Sequence, residues 1–368
     1  MEPIKRIDYS KASPDSPIHR GFDKFFGTVC CPTTDWLYAY VDGDRIPVPP
    51  TRQLTPEVKK EIGLPESPYS KDCRQGMIAP DFQMEGADQK FIEKSIAFLK
   101  DHSKKNPDKP FFLFHSTQAV HLPSFPGTQF KGKSGAGPHG DFIFEFDWVV
   151  GELMRTLYKT GLDKNTIVMI SSDNGPELPT VKAMLRDHNH YGSHPWRGIK
   201  RDNWEGGHRV PFIVKWPEKI KAGSTSKHIV SLTDVMATIA EIVGYELPHK
   251  SAEDSFSFAK VLTGEQPESK PFKKYQIQQA WVKAKSIRKG KWKYMDHQGS
   301  GGNKYNREGE WGAKDLAREL TAPDAPGQLY NLDEDPEEKD NLYYKHPEIV
   351  KELKEKLEEF VKNGRSRP

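Results

Sequence analysis

The sequence is poor in cysteine, in long apolar runs and in net charge, and each shortage removes a class of protein. Cys30, Cys31 and Cys73 are the only cysteines in 368 residues. Three thiols are too few for a disulfide framework or a zinc cage, although one bridge from Cys73 to Cys30 or Cys31 is compatible with the sequence. No stretch approaches the ~18 consecutive apolar residues of a membrane-spanning helix. The opening Met-Glu-Pro-Ile-Lys-Arg-Ile-Asp lacks the apolar centre of a signal peptide. The 55 basic and 52 acidic side chains leave a net charge of +3, which does not favour nucleic acid or a membrane surface as the main partner. Internal repeats are absent. What remains, with 29% charged and 35% apolar residues and a mean hydropathy of −0.76, is a hydrophilic globular chain. It is long enough for a large core and two domains.

Regular structure is legible in parts. Residues 1–85 show little periodicity and read as a surface excursion. Phe91, Ile92, Ile96, Ala97 and Leu99 recur at helical spacing, in a helix expected to end before Asn106-Pro107. The run Phe111–His115 reads as a short buried strand. Phe142, Ile143, Phe146, Val149, Val150, Leu153, Met154 and Leu157 form one helical stripe, closed by Gly161. Residues 166–170 are a β-branched apolar run, expected to be a buried parallel strand. Val210–Val214 is another strand. Leu232–Val243 is a helix with Asp234 in its first turn, where a carboxylate suits the helix dipole. Alternating strands and helices predict a doubly wound α/β sheet. Residues 248–272 read as a linker. Beyond it, short strand-like runs and a final helix (Ile349, Leu353, Leu357, Phe360, then Gly364) predict a smaller α+β domain. The expected domains are therefore 1–272 and 273–368.

The strand at 166–170 runs into Ser172-Asp173-Asn174-Gly175. Two readings are open. Asp-Asn-Gly is good turn chemistry. A carboxylate beside an amide oxygen at a strand's carboxyl end also suits a hard cation. The surrounding motifs bear on the choice. In order they are Gly-Phe-Asp-Lys-Phe-Phe-Gly at 21–27, Pro-Phe-Phe-Leu-Phe-His at 110–115, Gln118-Ala119-Val120-His121-Leu122-Pro123 and the 141–161 helix with Asp147. After Asp173-Asn174-Gly175 come Lys200, Trp204-Glu205-Gly206-Gly207-His208-Arg209-Val210-Pro211, Gly290-Lys291-Trp292-Lys293-Tyr294 and Leu329-Tyr330-Asn331-Leu332.

This series resembles the arylsulfatase-type sulfatases of the alkaline-phosphatase-like superfamily, from about residue 21 onward. The resemblance implies a mixed, mostly parallel sheet flanked by helices, with a C-terminal domain built on a small antiparallel sheet. It implies hydrolysis of sulfate esters. It assigns Asp173 and Asn174 to a divalent cation, usually calcium, and His121 and Lys200 to the sulfate or the leaving-group oxygen. Sulfuryl transfer places negative charge on nonbridging and leaving oxygens. A fixed cation, an ammonium and an imidazolium offset that charge without reorganising, and His121 or Lys200 is a candidate acid for the leaving alcohol. Glu205-Gly206-Gly207 reads as a loop-shaping element, and Asp147 and Asp234 as structural. His115 and His208 remain possible pocket residues.

The family's nucleophile is a formylglycine made from Cys or Ser in Cys/Ser-x-Pro-x-Arg. That motif, an Asp-Asp metal pair and a Gly-Lys-x-His segment normally precede the Gly-Phe-Asp element, and none precedes it here. Cys30-Cys31-Pro32-Thr33-Thr34 has Thr34 where Arg is required. Gly290-Lys291-Trp292-Lys293 lacks the His and is expected to be a strand whose Trp packs on the main domain. The expectation is a sulfatase lacking its first ~100 residues, with exposed apolar surface, poor calcium affinity and little or no activity by itself. Two alternatives stand beside it: a non-catalytic sulfate- or glycan-binding homologue, and a related phosphodiester or phosphonate hydrolase. The expected partner is a sulfated small molecule or carbohydrate, contacted by loops 28–85, 176–199 and 296–327. Trp36, Tyr38, Trp196 and Trp311 are the candidate stacking residues. Full-length relatives of this type are commonly exported or periplasmic.

Overall fold

The computed structural model describes residues 7–34, 36–64 and 73–368. They divide into two compact units, one of residues 1–163 with 179–190, the other of 164–178 with 191–368.

The first unit is built on two long helices. Helix α2 (Ala87–Lys105) follows the short α1 (Pro56–Glu61) and packs on α3 (Gly137–Thr160). Gly161 ends α3 in the left-handed conformation, φ 73°, and its N–H returns to the Leu157 and Tyr158 carbonyls. Phe142, Val149 and Leu157 of the expected stripe are buried, whereas Ile143 is exposed. Part of helix α4 (Leu178–His188) also belongs here, with Ala183 and Met184 packed on Leu122.

The described part of residues 1–85 is not the surface excursion expected of it. Strand β1 (Phe26–Thr28) pairs antiparallel with β3 (Tyr40–Asp42). Strand β2 (Leu37–Tyr38) runs parallel to β5 (Met77–Ile78), which pairs on its other edge with β4 (Arg52–Gln53). Around them Tyr38, Tyr40, Leu54, Ile78, Phe82 and Met84 form a buried cluster. Strands of two or three residues are too short to show a period, so a core assembled from them is invisible to pattern reading. Residues 1–6, 35 and 65–72 of this stretch lie outside the described residues.

The expected strand at 111–115 is a second correction. The chain has no regular structure there, with Phe112 and Phe114 exposed, and it belongs to no β-ladder among the described residues. An apolar run predicts a strand only where another strand can take up its main-chain groups.

In the second unit, β6 (Val168–Ser171) pairs with β7 (Phe212–Lys215). The pairing is antiparallel and the strand is half-buried, not the buried parallel strand that its composition suggests. A short helix α5 (Glu205–His208) precedes β7. Helix α6 (Val235–Ile242) follows a turn in which Ser231 and Asp234 form a capping box. Asp234 is fully buried, paired to Lys273, and accepts the Phe256 N–H, which is the structural role expected of it. Residues 248–272 are no linker: Phe258 is buried beside α7 (Ala259–Leu262), and the Ser366 and Arg367 main chains bond to Asp254 and Glu253.

The antiparallel meander at the C-terminus comprises β8 (Gln276–Gln279), β9 (Lys285–Lys289), β10 (Trp292–Met295) and β11 (Gln328–Asn331), in the order β11-β10-β9-β8. Helix α8 (Pro347–Asn363) covers Ile287, Tyr294 and Leu329 with Val350, Leu353 and Leu357, and ends at the left-handed Gly364. Trp292 does not pack as expected: it lies against His346 at 5.0 Å, and its neighbour Lys293 takes the buried position. Successive strand residues face opposite ways, so a reading one residue out of step reverses the face.

Candidate active site

Candidate site residues occur in both units and are taken one unit at a time. In the first, His121 sits on a loop whose Ala119-Val120 and Leu122-Pro123 peptides are cis. The His121 N–H donates to the Gln118 carbonyl at 2.8 Å. Gln118 is buried; its amide donates to Thr33 Oγ1 at 2.6 Å, and its amide oxygen faces Cys31 Sγ at 3.7 Å. His121 is exposed. Its Nδ1 lies 2.6 Å from the Leu122 carbonyl, an arrangement that assigns a proton to Nδ1.

Cys31 Sγ is 3.7 Å from His121 Nδ1. Burial by itself raises the thiol's pKa, but hydrogen bonds from His121, Thr34 and the Thr33 main chain, with the His121 charge, outweigh it and bring the group down to about 7. Sequence reasoning weighed Cys31 as one end of a possible bridge to Cys73 and as a member of the incomplete Cys-x-Pro motif that begins at Cys30. Its 90-residue separation from His121 gave no signal of the contact.

In the second unit, β6 delivers Asp173 and Asn174. Asp173 is exposed and Asn174 half-buried. The loop behind them is fixed by glycine. A Cβ on Gly175 would lie 1.9 Å from the Gly206 carbonyl oxygen, and one on Gly206 would lie 2.2 Å from that of Gly198. Only bare backbone fits, and Gly175 N–H donates to Gly207 O at 2.9 Å. Lys200 joins the same construction: its N–H donates to Pro176 O at 2.9 Å, and its ammonium lies 3.5 Å from Glu177 Oε2. Arg201, at φ 84°, grips Glu177 with both guanidinium nitrogens. Burial pushes the Glu177 carboxyl up, but the Arg201 hydrogen bonds and the Arg201 and Lys200 charges hold it below its ordinary value. Glu177 and Arg201 were not anticipated, although both sit within two residues of matched positions.

Beneath this loop lies a buried charge cluster. Lys293 Nζ is 3.0 Å from Glu205 Oε1 and 2.9 Å from Glu338 Oε1. The Glu205 N–H donates to Glu338 Oε2 at 2.6 Å, and Arg209 and Arg288 approach Glu205 Oε2 at 3.2 and 3.4 Å. Burial raises both carboxyls, but the charges of Lys293, His208 and Arg288 bring Glu205 well below the usual range, while Glu338 stays raised. Burial and the Lys293 charge push His208 down to about 4. The cluster absorbs Glu205 and His208 into the scaffold, in line with a loop-shaping Glu-Gly-Gly. His115 bonds Ser95 Oγ at 2.9 Å and is pushed down to about 4 by burial. Asp147 is exposed on α3.

Of the candidate stacking residues, Tyr38 is fully buried and belongs to the core. Trp36 is exposed beside Arg74, Trp311 faces Arg201 at 5.6 Å, and Trp196 lies under Arg209 at 4.7 Å.

A divalent cation fits Asp173 and Asn174 in kind, since both offer hard oxygen donors. Two side chains meet only part of a calcium ion's six to eight ligands, and no cluster of three His, Cys, Asp or Glu residues suited to a metal occurs among the described residues. Formylglycine does not fit the available precursors. A literal Ser-x-Pro-x-Arg, missed by sequence reasoning, occurs at Ser193–Arg197. Ser193 is buried with Oγ bonded to Gly198 O at 2.8 Å, and Arg197 donates to the Glu338 carbonyl and stacks on Trp204. Cys30 packs against the first unit's core with Sγ 3.8 Å from Leu37 O. Each is committed to the scaffold.

Residues 7–245 match the Sulfatase family, and residues 192–307 match the C-terminal family of N-sulphoglucosamine sulphohydrolase. An N-acetylgalactosamine-6-O-sulfatase of Bacteroides thetaiotaomicron is 37% identical over 268 residues, 72% of this chain and 49% of the relative. Human arylsulfatase A is 29% identical over 358 residues, 92% of this chain and 64% of the relative. The chain thus spans about half to two-thirds of the length of these curated relatives. A solved structure from work on metabolism of multiple glycosaminoglycans by B. thetaiotaomicron superposes with a TM-score of 0.73 at 30% identity, covering 92% of this chain and 72% of that one. The crystal structure of Ps i-CgsB in complex with k-i-k-neocarrahexaose shares the fold, with a TM-score of 0.62 at 19% identity, over 95% of this chain and 68% of that one. The fold is that of the alkaline-phosphatase-like sulfatases, with mixed sheets flanked by helices and a separate C-terminal sheet.

Proposed function

The chain belongs to the sulfatase family, and from that membership we propose that it serves the hydrolysis of sulfate esters, with a sulfated carbohydrate as substrate. Sulfatases of this family generally use formylglycine and a divalent metal. The preference for a sugar rests on the N-acetylgalactosamine-6-O-sulfatase relative and on the half-exposed Trp36 and Trp311. In this reading residues 1–272 form the catalytic domain and 273–368 the C-terminal subdomain, which contributes Lys293 to the support of Glu205.

Lys200 and His121 are the proposed sulfate contacts. An ammonium carries three N–H donors, and one of them faces Glu177. The 3.5 Å separation marks an ion pair rather than a full hydrogen bond, so Glu177 orients Lys200 without consuming it. His121 has its Nδ1–H held by the Leu122 carbonyl; as an imidazolium it would carry a second N–H proton to give a leaving oxygen. Asp173 and Asn174 are the proposed metal ligands, where a divalent cation, calcium in this reading, would draw charge from nonbridging sulfate oxygens. The observation that carries the reading is the hydrogen bond from Lys200 N–H to Pro176 O together with that from Gly175 N–H to Gly207 O. They tie the strand end with Asp173 and Asn174 to the loop with Lys200 in one rigid piece.

Neither Cys30 nor Ser193 is placed to become the family's nucleophile. The chain of these 368 residues is therefore expected to bind a sulfated sugar and to turn over little or none of it. The test is hydrolysis of an aryl sulfate by the purified chain with calcium present. Release no faster than that of a His121→Asn variant agrees with the proposal, and robust, His121-dependent turnover refutes its second half.

A further inference from the structure

The His121 loop is gripped from behind by a carboxyl group that plays no part in the sulfate contacts proposed above. Asp88 stands in the first turn of α2 and is 1% exposed. One of its oxygens accepts the Gln118 N–H at 2.7 Å and the other the Ala119 N–H at 2.8 Å. Two consecutive peptide N–H groups on the two oxygens of one carboxylate admit few orientations of the chain.

Gln118 passes that constraint forward in three ways. Its carbonyl accepts the His121 N–H, its amide holds Thr33 Oγ1 at 2.6 Å, and the same amide reaches the His121 carbonyl at 3.4 Å. Thr33 Oγ1 in turn lies 3.4 Å from Leu122 O. The imidazole, the Cys31 thiol and the Gln118 amide oxygen meet at the end of this chain of bonds. At the far side of the loop Glu145, also buried, accepts the Gly127 N–H at 2.8 Å and the Gln89 amide at 2.9 Å. Burying a carboxylate is costly. At Asp88 that cost is offset by the pair of main-chain bonds.

We propose that Asp88 is the positioning residue of this loop: through the Gln118 and Ala119 N–H groups it fixes the backbone that carries His121, and through Gln118 it sets the imidazole against Cys31. The consequence for turnover rests on the reading of His121 as a sulfate contact. The thiol–imidazole geometry does not, and that separates the two in a test.

The reporter is alkylation of Cys31 by iodoacetamide in the full chain, followed site by site by peptide mass spectrometry from about pH 6 to about pH 9. In the parent the midpoint is expected at about 7. Asp88→Asn replaces one accepting oxygen with an NH2 group that cannot receive a main-chain N–H. Release of the loop withdraws the His121 hydrogen bond and charge from the thiol. The midpoint is expected to rise by about one unit or more, a roughly ten-fold loss of thiolate on the acid side. The rate falls about three-fold, because a more basic thiolate is intrinsically more nucleophilic. Thr33→Val, which removes the Gln118 amide's partner together with the Thr33 Oγ1 contacts to Leu122 O and Cys31 Sγ, is expected to move the midpoint the same way. Asp88→Glu, which keeps the charge but displaces both oxygens and touches none of those atoms, is expected to do so as well and decides the matter if Asp88→Asn does not fold. Asp141→Asn alters another buried carboxylate that holds main-chain N–H groups, those of Gly132 and Ser134, and is expected to leave Cys31 unchanged. A Cys31 midpoint unmoved in folded Asp88→Asn, or moved equally in Asp141→Asn, overturns the proposal. A midpoint that moves as expected while sulfate binding is unaltered upholds Asp88 and removes His121 from the sulfate site.

Discussion

Lys293 is the side chain whose removal tests the second unit's architecture most sharply. It is fully buried between Glu205 and Glu338. At 2.9 and 3.0 Å, each carboxylate attracts it by about 5 to 6 kcal/mol at an effective dielectric near 20. Most of that offsets the desolvation of three charges. What Lys293→Met exposes is the uncompensated remainder, typically about 3–5 kcal/mol when one partner of a buried pair is deleted. The two carboxyls differ in how they respond. Glu205 keeps Arg209 and Arg288 and stays ionised. Glu338, already raised by burial and by Glu205, has lost its cation and takes up a proton. Protonating a carboxyl of ordinary pKa about 4.5 costs roughly 3.4 kcal/mol at pH 7 and about 1.4 kcal/mol less for each pH unit below. The folded variant binds one more proton than the unfolded chain across this range, so its stability falls as pH rises. Urea unfolding of parent and Lys293→Met at pH 6, 7 and 8 reads both quantities. Glu338 of the parent, raised to about 7, holds the same extra proton below that pH, so the expected deficit is about 3 kcal/mol at pH 7, nearly level toward pH 6 and growing toward pH 8. A deficit below about 1 kcal/mol, or one independent of pH, refutes the account of the cluster.

Other predictions follow from single contacts. Gly175→Ala places a methyl group 1.9 Å from the Gly206 carbonyl oxygen and should cost about 3 kcal/mol in urea unfolding; a neutral result would show that the two loops are not locked together. His139 is buried, bonded to Ser124 Oγ at 3.0 Å and pushed down to about 4 by burial and by His190. A lowered imidazole contributes stability above its unfolded pKa that is lost as pH falls. Between about pH 6.5 and 4 the parent should lose about 3 kcal/mol that His139→Gln does not lose, by thermal unfolding across that window. Calcium titrated against the chain by calorimetry should bind in the millimolar range, and Asp173→Asn should abolish the heat. Micromolar binding indifferent to Asp173 would place the cation elsewhere.

The sequence was informative where structure is local. Helices α3 and α8 announced themselves by apolar stripes and by Gly161 and Gly364, because helical contacts recur every three or four residues and the left-handed cap favours glycine. It was uninformative where partners are distant. The run at 166–170 showed a strand but not that β7, some forty residues on, would pair with it antiparallel. Phe111–His115 has strand composition but joins no strand among the described residues. Tyr38 and Phe82 form a core through elements too short to carry a period. The motif order located His121, Lys200, Asp173 and Asn174, but neither spacing nor composition reveals that Asp88 and Cys31 meet the His121 loop from 30 and 90 residues away. Pattern matching also erred in both directions. Ser193–Arg197 satisfies a nucleophile motif while its Ser193 and Arg197 are engaged in the scaffold, and Glu177, in no motif, is the carboxylate on which Lys200 leans.

The central claim is that His121 and Lys200 hold a sulfate group, and the most direct measurement compares two sugars that differ only in that group. Calorimetric titration of the parent with N-acetylgalactosamine-6-sulfate and with unsulfated N-acetylgalactosamine should show binding of the first only. Lys200→Met and His121→Asn should each weaken it by about ten-fold or more, as loss of one charge-assisted hydrogen bond requires. Equal binding of both sugars, or affinity for the sulfated one unchanged in both variants, would contradict the claim.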